Sequence, residues 1–407
     1  MCLTKTFANF IGKAKFATMR PNPQHLVEQL TRFRQRATGH KTREAVFQTL
    51  ADHIEDEEVE IQRQSFRTPY HYIQLLYWLF VGLILALLLA ELFPLLAIGL
   101  SMGLFWLGFR YFDWRSSLLS KLPPLRDCFN FIARKQAKNA RIKIVLMAHW
   151  DTAPIAIPYR PEMIKGLKSS IFVGQGVMLL CVLVCAIPLW QKGTLFFSIA
   201  QFVLIAYWLI QLLIVSIDFW RFGYSNGAND NATGCAAALM LAHELWGKDE
   251  PSCEVEICIT GAEEVGMLGA QHYYQQSIKN TSLLHLIINF DTIGCEQLQI
   301  ITESGTFSKI SYDHELLAIA RKLSKERNIA ANFGRYNTAD VDTACFVRAG
   351  IPSLSFISHN SAGIPAYIHR PEDTMDKIHW STLEQAIDLA GAICDYLIKQ
   401  HTPYVSS

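Results

Sequence analysis

Two long apolar blocks interrupt a chain in which shorter apolar runs alternate with polar segments. Within 72–109 the only charged residue is Glu91, and within 169–217 the only one is Lys192. Each charge lies beside a break containing proline or glycine, which divides its block into two segments of about the 20 residues that a helix needs to cross a bilayer. The pattern predicts four membrane-spanning helices in two hairpins, with buried core helices as the alternative.

The polar segments, 1–71, 110–168 and 218–407, must lie on one side of the membrane because each hairpin crosses and returns. They are predicted to form one domain that the hairpins interrupt. Positive charges flank the hairpins on this side, whereas the short opposite loops carry only Lys192. The flanking charges are Arg67, Arg110, Arg115, Lys165, Lys168 and Arg221. The positive-inside rule then predicts that the domain faces the cytoplasm.

The amino-terminal segment shows no cleavable signal peptide, because basic residues interrupt any apolar core of the needed length. Its first part, Lys5–Phe16, is predicted to be a frayed terminus, with a basic amphipathic surface helix as the alternative. Pro23–Arg36 and Thr42–Glu55 have the spacing of helices, and Val59–Phe66 alternates like a strand. These elements carry none of the candidate ligands described next, but they can complete a sheet.

Three apolar runs are typical of buried strands, and candidate metal-binding side chains follow each of them. The runs are Ile144–Ala148, Val255–Thr260 and Leu283–Phe290. The residues that follow are His149 and Asp151, Glu263 and Glu264, and Asp291. Because the carboxyl ends of parallel strands meet at one edge of a sheet, these distant residues can share one crevice. Asp230, in a loop before the predicted helix Cys235–Trp246, and His369, in a late loop, complete the set.

Each candidate taken alone has an ordinary structural explanation. Asp230 and Asp291 lie where an aspartate often caps a helix or turn. His369 could be an ordinary loop histidine, and His149 and Asp151 could form a hydrogen-bonded pair without a metal. Glu263 and Glu264 fit a solvated acidic turn, but adjacent carboxylates after a buried strand repel each other unless a cation or proton offsets them. The whole set, in this order on strand ends, predicts a metal site. Nitrogen and oxygen ligands without a thiolate suit zinc.

Together these motifs resemble the dinuclear-zinc aminopeptidases of clan MH, whose relatives include bacterial leucyl aminopeptidases, glutamate carboxypeptidases and glutaminyl cyclases. The resemblance covers residues 144 to about 395, plus the amino-terminal segment. It is carried by His149-x-Asp151, Asn229–Gly234, Glu263-Glu264-x-Gly266, Asn289–Gly294 and the late His369. It implies an α/β/α sandwich with a mixed, mainly parallel sheet flanked by helices, here interrupted by the two membrane hairpins.

The resemblance also implies roles for the site residues. Asp230 would bridge two zinc ions. His149 and Asp291 would complete the ligands of one ion, and Glu264 and His369 those of the other. The catalytic residues would be Glu263, the general base, and Asp151, which orients His149. The implied protein is a membrane-anchored metallo-exopeptidase that hydrolyses the amino-terminal bond of peptide substrates, with the lipid bilayer as its other partner.

Three other functions stay open at this point. A glutaminyl cyclase would reuse a similar ligand set with one zinc. A carboxypeptidase would need a basic residue such as Arg335, Arg348 or Arg370 to hold the terminal carboxylate. A noncatalytic receptor or scaffold would keep the fold, but it has no chemical reason to keep Glu263 together with all five ligands.

Three features depart from the family pattern. Ile368 immediately precedes His369, with Tyr367 one place earlier, so oxyanion assistance by a tyrosine is not expected there. Asp342 lies where the family often has Ser-Asp-His before a Phe, but its neighbours differ and it receives no role. The connection after Asp151 is unusually long because it holds the second hairpin, which should place the metal cleft and substrate entry near the membrane surface. The alternative is that the spans only anchor the enzyme.

Charge and cysteine usage narrow the partners. The 37 basic and 36 acidic residues give a net charge of +1 without a basic stripe, which argues against a nucleic-acid partner. None of the ten cysteines forms a Cys-x-x-Cys pair, and Cys258 lies in an apolar strand, so the cysteines are expected to be reduced and buried. The oligomeric state is left open.

Overall fold

A nine-stranded mixed sheet forms the centre of the protein in the computed structural model, which describes residues 22–54, 56–248, 250 and 252–401. The prediction for Lys5–Phe16 lies outside these residues. The strands are β1 (Val59–Thr68), β2 (Arg126–Lys135), β3 (Ile142–His149), β4 (Cys253–Thr260), β5 (Leu284–Phe290), β6 (Gln297–Ser304), β7 (Ile310–Ser311), β8 (Ala331–Arg335) and β9 (Ser353–His359). Their order in the sheet is β1-β2-β4-β3-β5-β9-β6-β7, and β8 pairs with β6.

Helices flank this sheet and also form a separate apolar bundle. They are α1 (Pro23–Thr31), α2 (Arg43–Ala51), α3 (Tyr72–Leu89), α4 (Pro94–Phe112), α5 (Leu167–Ala186), α6 (Leu195–Phe222), α7 (Gly234–Trp246), α8 (Leu268–Tyr273), α9 (His314–Glu326), α10 (Ala344–Arg348) and α11 (Trp380–His401). Shorter helical turns lie at Leu118–Lys121, Ile157–Tyr159, Ile164–Gly166, Ile187–Leu189, Ala228–Thr233, Tyr274–Ile278 and Met375–Lys377. The helices predicted in the amino-terminal segment are present but end earlier than predicted.

The three predicted core strands are confirmed as β3, β4 and β5, and they run parallel to one another. In this register Leu146 lies between Ile257 and Ile288. Every residue of β3 is buried, because helices cover both faces of a central parallel strand and leave no polar side to its sequence. Cys258 is buried in β4, and the nine cysteines within the described residues are all free thiols.

The sheet is mixed as predicted, but its parallel pairs do not predominate, since half of the strand pairings are antiparallel. Parallel pairs join β4, β3, β5 and β9 at the centre and β8 to β6. The antiparallel β1–β2 pair has a simple cause. The α3–α4 hairpin leaves after β1 and returns before β2, so the chain re-enters the sheet in the opposite direction.

Alternate side chains of β2 show how the helices divide between the two faces. Phe129 and Phe131 pack their rings against Phe47 of α2. The residue between them, Asn130, donates from its side-chain amide to the carbonyl of Gly269 in α8 at 2.9 Å. Since successive strand residues point to opposite faces, α2 and α8 lie on opposite sides of the sheet. The predicted sheet flanked by helices is therefore confirmed.

The apolar helices α3, α4, α5 and α6 pack into one bundle with its own core. Its internal polar groups bind main-chain carbonyls of neighbouring helices: Gln175 donates to Phe105 at 2.9 Å and Gln201 to Leu87 at 2.7 Å. Large apolar side chains point outward from the bundle, among them Leu88, Leu95, Phe196 and Phe202. An outer surface of this kind is typical of helices that face lipid rather than water.

The predicted spans agree with these helices to within a few residues. The first hairpin, predicted as 72–92 and 94–109, is found at Tyr72–Leu89 and Pro94–Phe112. All four helices are long and apolar enough to cross a membrane. Membrane crossing remains a prediction, and so does the side of the membrane on which the sheet domain lies.

A buried carboxylate fastens the bundle to the sheet domain. Asp113, directly after α4, is fully buried and accepts hydrogen bonds from the main-chain N–H groups of Phe307 and Ser308 at 3.1 and 2.8 Å. Its carboxylate also pairs with Arg115 at 2.8 Å and lies 3.5 Å from Arg348. These contacts fix the end of α4 against the loop that follows β6.

We expect the Asp113→Ala variant to lower the free energy of unfolding by about 3 kcal/mol, because it leaves two guanidinium groups and two amides without their shared acceptor. Urea unfolding in detergent, followed by tryptophan fluorescence, measures this change. The control is Asp127→Ala, which removes an exposed carboxylate 3.9 Å from Arg67 and should change stability little. Equal, small effects of both substitutions would contradict the fastening role of Asp113.

Candidate metal centre

The ends of three parallel strands bring the predicted site residues to one edge of the sheet. His149 is the last residue of β3, Glu263 and Glu264 follow β4, and Asp291 follows β5. Asp230 reaches the same place from the helical turn that precedes α7. His369 comes from the loop after β9 and completes the set of residues predicted from the sequence.

Their side chains form three overlapping candidate groups of three, and two of these groups share Asp230. The third consists of His149, Glu263 and Glu264. One carboxylate oxygen of Asp230 lies 3.3 Å from His149 Nε2, and the other lies 3.3 Å from His369 Nε2. Asp291 completes the first group, with its Oδ2 3.8 Å from His149 Nε2. Glu264 completes the second, with its Oε2 2.8 Å from His369 Nε2. Asp230 is thus positioned between two possible ion sites.

The donor atoms of these groups fit zinc. Within each group the candidate ligand atoms lie within 4.8 Å of one another, and all are imidazole nitrogens or carboxylate oxygens. His149 Nε2 and Glu264 Oε1 are buried and have no hydrogen-bond partner among the described residues. An unpaired buried polar atom is unfavourable, and a bound cation would satisfy both.

Burial and crowding of acids shift the pKa values in the crevice. Burial raises the pKa of Glu263 well above its usual range, and the adjacent Glu264 adds to this rise. Burial and repulsion by Asp230 raise the pKa of Glu264 to about 7. Burial opposes protonation of His369, but the carboxylates of Glu264 and Asp230 outweigh it and raise this pKa to about 10. The crevice holds an excess of negative charge, which a divalent cation would relieve.

Asp151 positions the two adjacent glutamates. Its carboxylate accepts hydrogen bonds from the main-chain N–H groups of Glu263 at 3.1 Å and Glu264 at 3.2 Å. His149 Nδ1 lies 3.1 Å from the main-chain carbonyl of Asp151, whereas the carboxylate of Asp151 is 3.8 Å away. Asp151 lies beyond the end of β3, where side chains no longer alternate as in a strand, and its carboxylate faces the two glutamate N–H groups rather than His149.

Asp373 is a positioning residue that the sequence analysis did not single out. It is buried, and its carboxylate accepts hydrogen bonds from the main-chain N–H groups of Asn229 at 2.7 Å and Asp230 at 3.1 Å. Burial and repulsion by Asp230 raise its pKa to about 7. The only signal in the sequence is its place four residues after His369. Asp373 thereby connects the loop of one ligand to the loop of another.

Asn231 makes a second connection between ligand loops. Its side-chain oxygen accepts hydrogen bonds from the main-chain N–H groups of Gly234 at 3.0 Å and Thr292 at 3.2 Å. Its side-chain nitrogen donates to the carbonyl of Phe290 at 2.9 Å. The residue after Asp230 therefore binds the residues on either side of Asp291.

Arg36 reinforces the same edge from the amino-terminal segment. Its guanidinium is fully buried and donates to the main-chain carbonyls of Trp150 at 2.8 Å, Asn226 at 2.9 Å and Gly227 at 2.7 Å. These carbonyls belong to the segments that follow His149 and precede Asp230. The sequence had placed Arg36 only at the end of a predicted helix.

Other polar groups near the centre differ from the family pattern. Asp342 is buried and accepts a short hydrogen bond from the Thr260 hydroxyl, and burial raises its pKa to about 7. Tyr367 is 42% exposed and lines a different cavity. Tyr159 instead packs its ring on His369, with ring centroids 4.0 Å apart. The aromatic ring nearest this histidine thus comes from the segment after β3.

A cavity of about 470 Å³ opens beside the metal centre. All six clustered residues line it, namely His149, Asp230, Glu263, Glu264, Asp291 and His369. It lies within the size range of small-molecule sites. Parallel strand ends, two candidate ligand groups and an adjoining cavity together form an arrangement that can hold metal ions beside a small-molecule substrate.

Comparison with known proteins shows a similarity to one family of peptidases. Residues 213–394 match the profile of peptidase family M28. This part of the chain, less than half of its length, is therefore similar to family M28. They include Asp230, Glu263, Glu264, Asp291 and His369, whereas His149 lies before the matched segment. The similarity agrees with the predicted enzyme class, a hydrolase of the metallo-aminopeptidase type.

The curated relatives include aminopeptidases. The chain is 30% identical over 198 residues to Aminopeptidase YwaD of Bacillus subtilis (strain 168), a match that covers 46% of this chain and 42% of that protein. The chain thus spans less than half the length of this curated relative. The ligand roles and the number of ions stay predictions.

Solved structures show the shared fold. A leucine aminopeptidase precursor of Bacteroides thetaiotaomicron VPI-5482 superposes with a TM-score of 0.54 at 16% identity, covering 91% of this chain and 94% of the other. A glutaminyl cyclase of the same species, bound to N-acetylhistamine, gives a TM-score of 0.54 at 17% identity, covering 91% and 95%. The fold is common to both activities and does not separate them.

We expect Asp373→Asn to weaken zinc binding by roughly 10- to 100-fold, because the amide cannot accept both N–H groups that fix the Asp230 loop. Zinc affinity is measured by competition with a coloured chelator. The control is Glu372→Gln, which changes the neighbouring, half-exposed side chain. Equal zinc affinity of Asp373→Asn and the unmodified protein would refute the positioning role.

Proposed function

We propose that the chain is a zinc-dependent aminopeptidase that hydrolyses the amino-terminal bond of peptides and is anchored in a membrane by α3–α6. The observation that carries the proposal is the pair of ligand groups sharing Asp230, with Glu263 beside them. Two zinc ions would be held by His149 and Asp291 with Asp230, and by Glu264 and His369 with Asp230. Bound zinc would supply a Lewis acid for the scissile carbonyl and lower the pKa of a water molecule.

Glu263 is the general base in this proposal. Its side chain is 10% exposed and lines the cavity, with Oε2 3.9 Å from His149 Nε2. Glu263 also lies within metal-binding reach of His149 and Glu264, but the two groups that share Asp230 do not need it as a ligand, and the proposal gives its carboxylate to proton transfer. Glu263 takes a proton from the attacking water and delivers it to the amine as the peptide carbon–nitrogen bond breaks. The hydrogen bond from its N–H to Asp151 keeps it beside the metal ligands.

The charges around the cavity favour a substrate with a free amino group. The charged or titratable groups of the described residues that line it are acids, histidines and tyrosines, without a lysine or arginine. The zinc ions would offset the charges of Asp230, Glu264 and Asp291. The two other lining acids, Glu263 and Asp340, complement a protonated amine and disfavour a terminal carboxylate. The acids include Asp340, whose Oδ2 is buried and has no hydrogen-bond partner among the described residues.

The arginines considered for a carboxypeptidase pair with other carboxylates. Arg335 lies 3.1 Å from Glu303, and Arg348 lies 3.5 Å from Asp113. Arg370 lies 3.2 Å from Asp218. The described lining of the cavity includes none of these arginines. This arrangement supports removal of amino-terminal rather than carboxyl-terminal residues.

The membrane placement is part of the proposal. The four apolar helices form two hairpins, so the sheet domain lies on one side, and the excess of basic residues flanking that side supports the cytoplasmic face.

We expect purified enzyme with zinc in detergent to release amino-terminal residues from free peptides and to leave acetylated peptides intact. The variant Glu263→Gln should lose roughly 100-fold or more of kcat, because it removes the proton acceptor while keeping the shape of the side chain. Chromatographic detection of the released amino acid measures both effects.

The control for this experiment is Glu315→Gln, which changes an exposed glutamate at the start of α9 and should keep full activity. Cyclisation of amino-terminal glutamine without peptide cleavage would support a glutaminyl cyclase instead. Absence of turnover of every peptide by zinc-loaded protein would support a noncatalytic scaffold.

A further inference from the structure

The cavity beside the metal centre extends into the apolar bundle. At one end it is lined by the clustered acids and histidines. At the other end it is lined by residues from all four apolar helices, including Phe80 of α3, Phe112 of α4, Met178 of α5 and Trp208 of α6. One continuous space therefore joins the proposed reaction centre to the interior of the bundle.

The sheet topology explains why the bundle lies over the metal centre. Strand β1 is antiparallel to β2, and β2 is antiparallel to β4, so β1 runs in the same direction as β4. The carboxyl end of β1, which leads into α3, thus lies at the edge that carries the ligands. The second hairpin follows the carboxyl end of β3 at the same edge. Both hairpins leave the sheet beside the site.

The bundle end of the cavity has no charged lining among the described residues. Its helical wall carries aliphatic and aromatic side chains. The uncharged polar members are Ser170, Gln211 and the tyrosines Tyr72, Tyr111 and Tyr207. Such a wall favours an apolar group by the free energy of removing it from water. It would exclude a charged group, which would lose its hydration there.

We propose that this bundle cavity is the specificity pocket of the enzyme and that it receives a long apolar side chain on the amino-terminal residue of the substrate. The free amine and the scissile bond then lie among the acids and metal ligands, and the rest of the peptide leaves toward the domain surface. The inference rests on the proposed aminopeptidase function. It assigns the four helices a part in substrate choice as well as in anchoring.

Gly174 of α5 gives a way to fill the pocket. It lines the cavity, and a Cβ atom placed on it meets no atom within 4 Å. Gly176 on the same helix is the matched control, since its Cβ is equally free but it is exposed and does not line the cavity. Leucine at either position raises helix propensity by the same amount, so the two variants differ in the volume added to the pocket.

The experiment measures kcat/KM for the 4-nitroanilides of alanine, leucine, phenylalanine and 2-aminodecanoic acid. For the unmodified enzyme we expect kcat/KM to rise at least tenfold from the alanyl to the 2-aminodecanoyl substrate. Gly174→Leu should lower the 2-aminodecanoyl value at least tenfold more than it lowers the alanyl value. Gly176→Leu should leave both values unchanged.

The outcomes separate this inference from the proposed function. If the alanyl substrate is cleaved but the longer substrates are no better, the pocket assignment fails and the aminopeptidase stands. If Gly174→Leu lowers kcat/KM equally for all substrates, the pocket assignment is also wrong. If no free-amine substrate is cleaved but decanoyl 4-nitroanilide is, the substrate is an acyl amide and both proposals fail. The substrate series on the unmodified enzyme decides the question even if Gly174→Leu does not fold.

Discussion

The crowding of carboxylates in one buried crevice is the constraint on which the rest of the structure depends. Glu263 and Glu264 lie against Asp230 and Asp291 with two histidines as the nearby bases, and burial disfavours every charge. Such a cluster keeps its geometry only if the main chain that carries each acid is fixed from outside. The contacts of Asp151, Asp373, Asn231 and Arg36 with main-chain atoms do this.

The two helical hairpins fit into the fold without moving these acids. A helical hairpin leaves and returns at neighbouring points, so it interrupts the chain without shifting the sheet. Strands β1 and β2 keep an unbroken register from Val59 opposite Lys135 to Thr68 opposite Arg126, although α3 and α4 lie between them in sequence. The acids therefore keep positions set by the sheet, while the hairpins add an apolar wall above them.

Sequence patterns predicted the parts of the site that depend on local order. Apolar runs predicted the strands β3, β4 and β5. Because these strands are parallel, the residues that follow each of them were expected to meet at one edge of the sheet. Contacts between distant main-chain segments have no such pattern. Asp373 and Arg36 bind N–H and carbonyl groups more than a hundred residues away, and every residue presents the same groups, so the sequence shows no preferred partner. The carboxylate of Asp151 was expected beside His149, but it binds the main chain of Glu263 and Glu264 because Asp151 lies past the end of β3.

The bundle also supports the geometry of one predicted metal ligand. His369 has a φ of +52°, a left-handed conformation that costs on the order of 1 kcal/mol for a residue with a side chain. Its neighbour Arg370 lies 3.2 Å from Asp218 of α6, which also binds Arg160 at 2.7 Å. A strained residue persists only where its surroundings hold it, and here part of that support comes from an apolar helix. The position of His369 therefore depends on α6 as well as on the sheet.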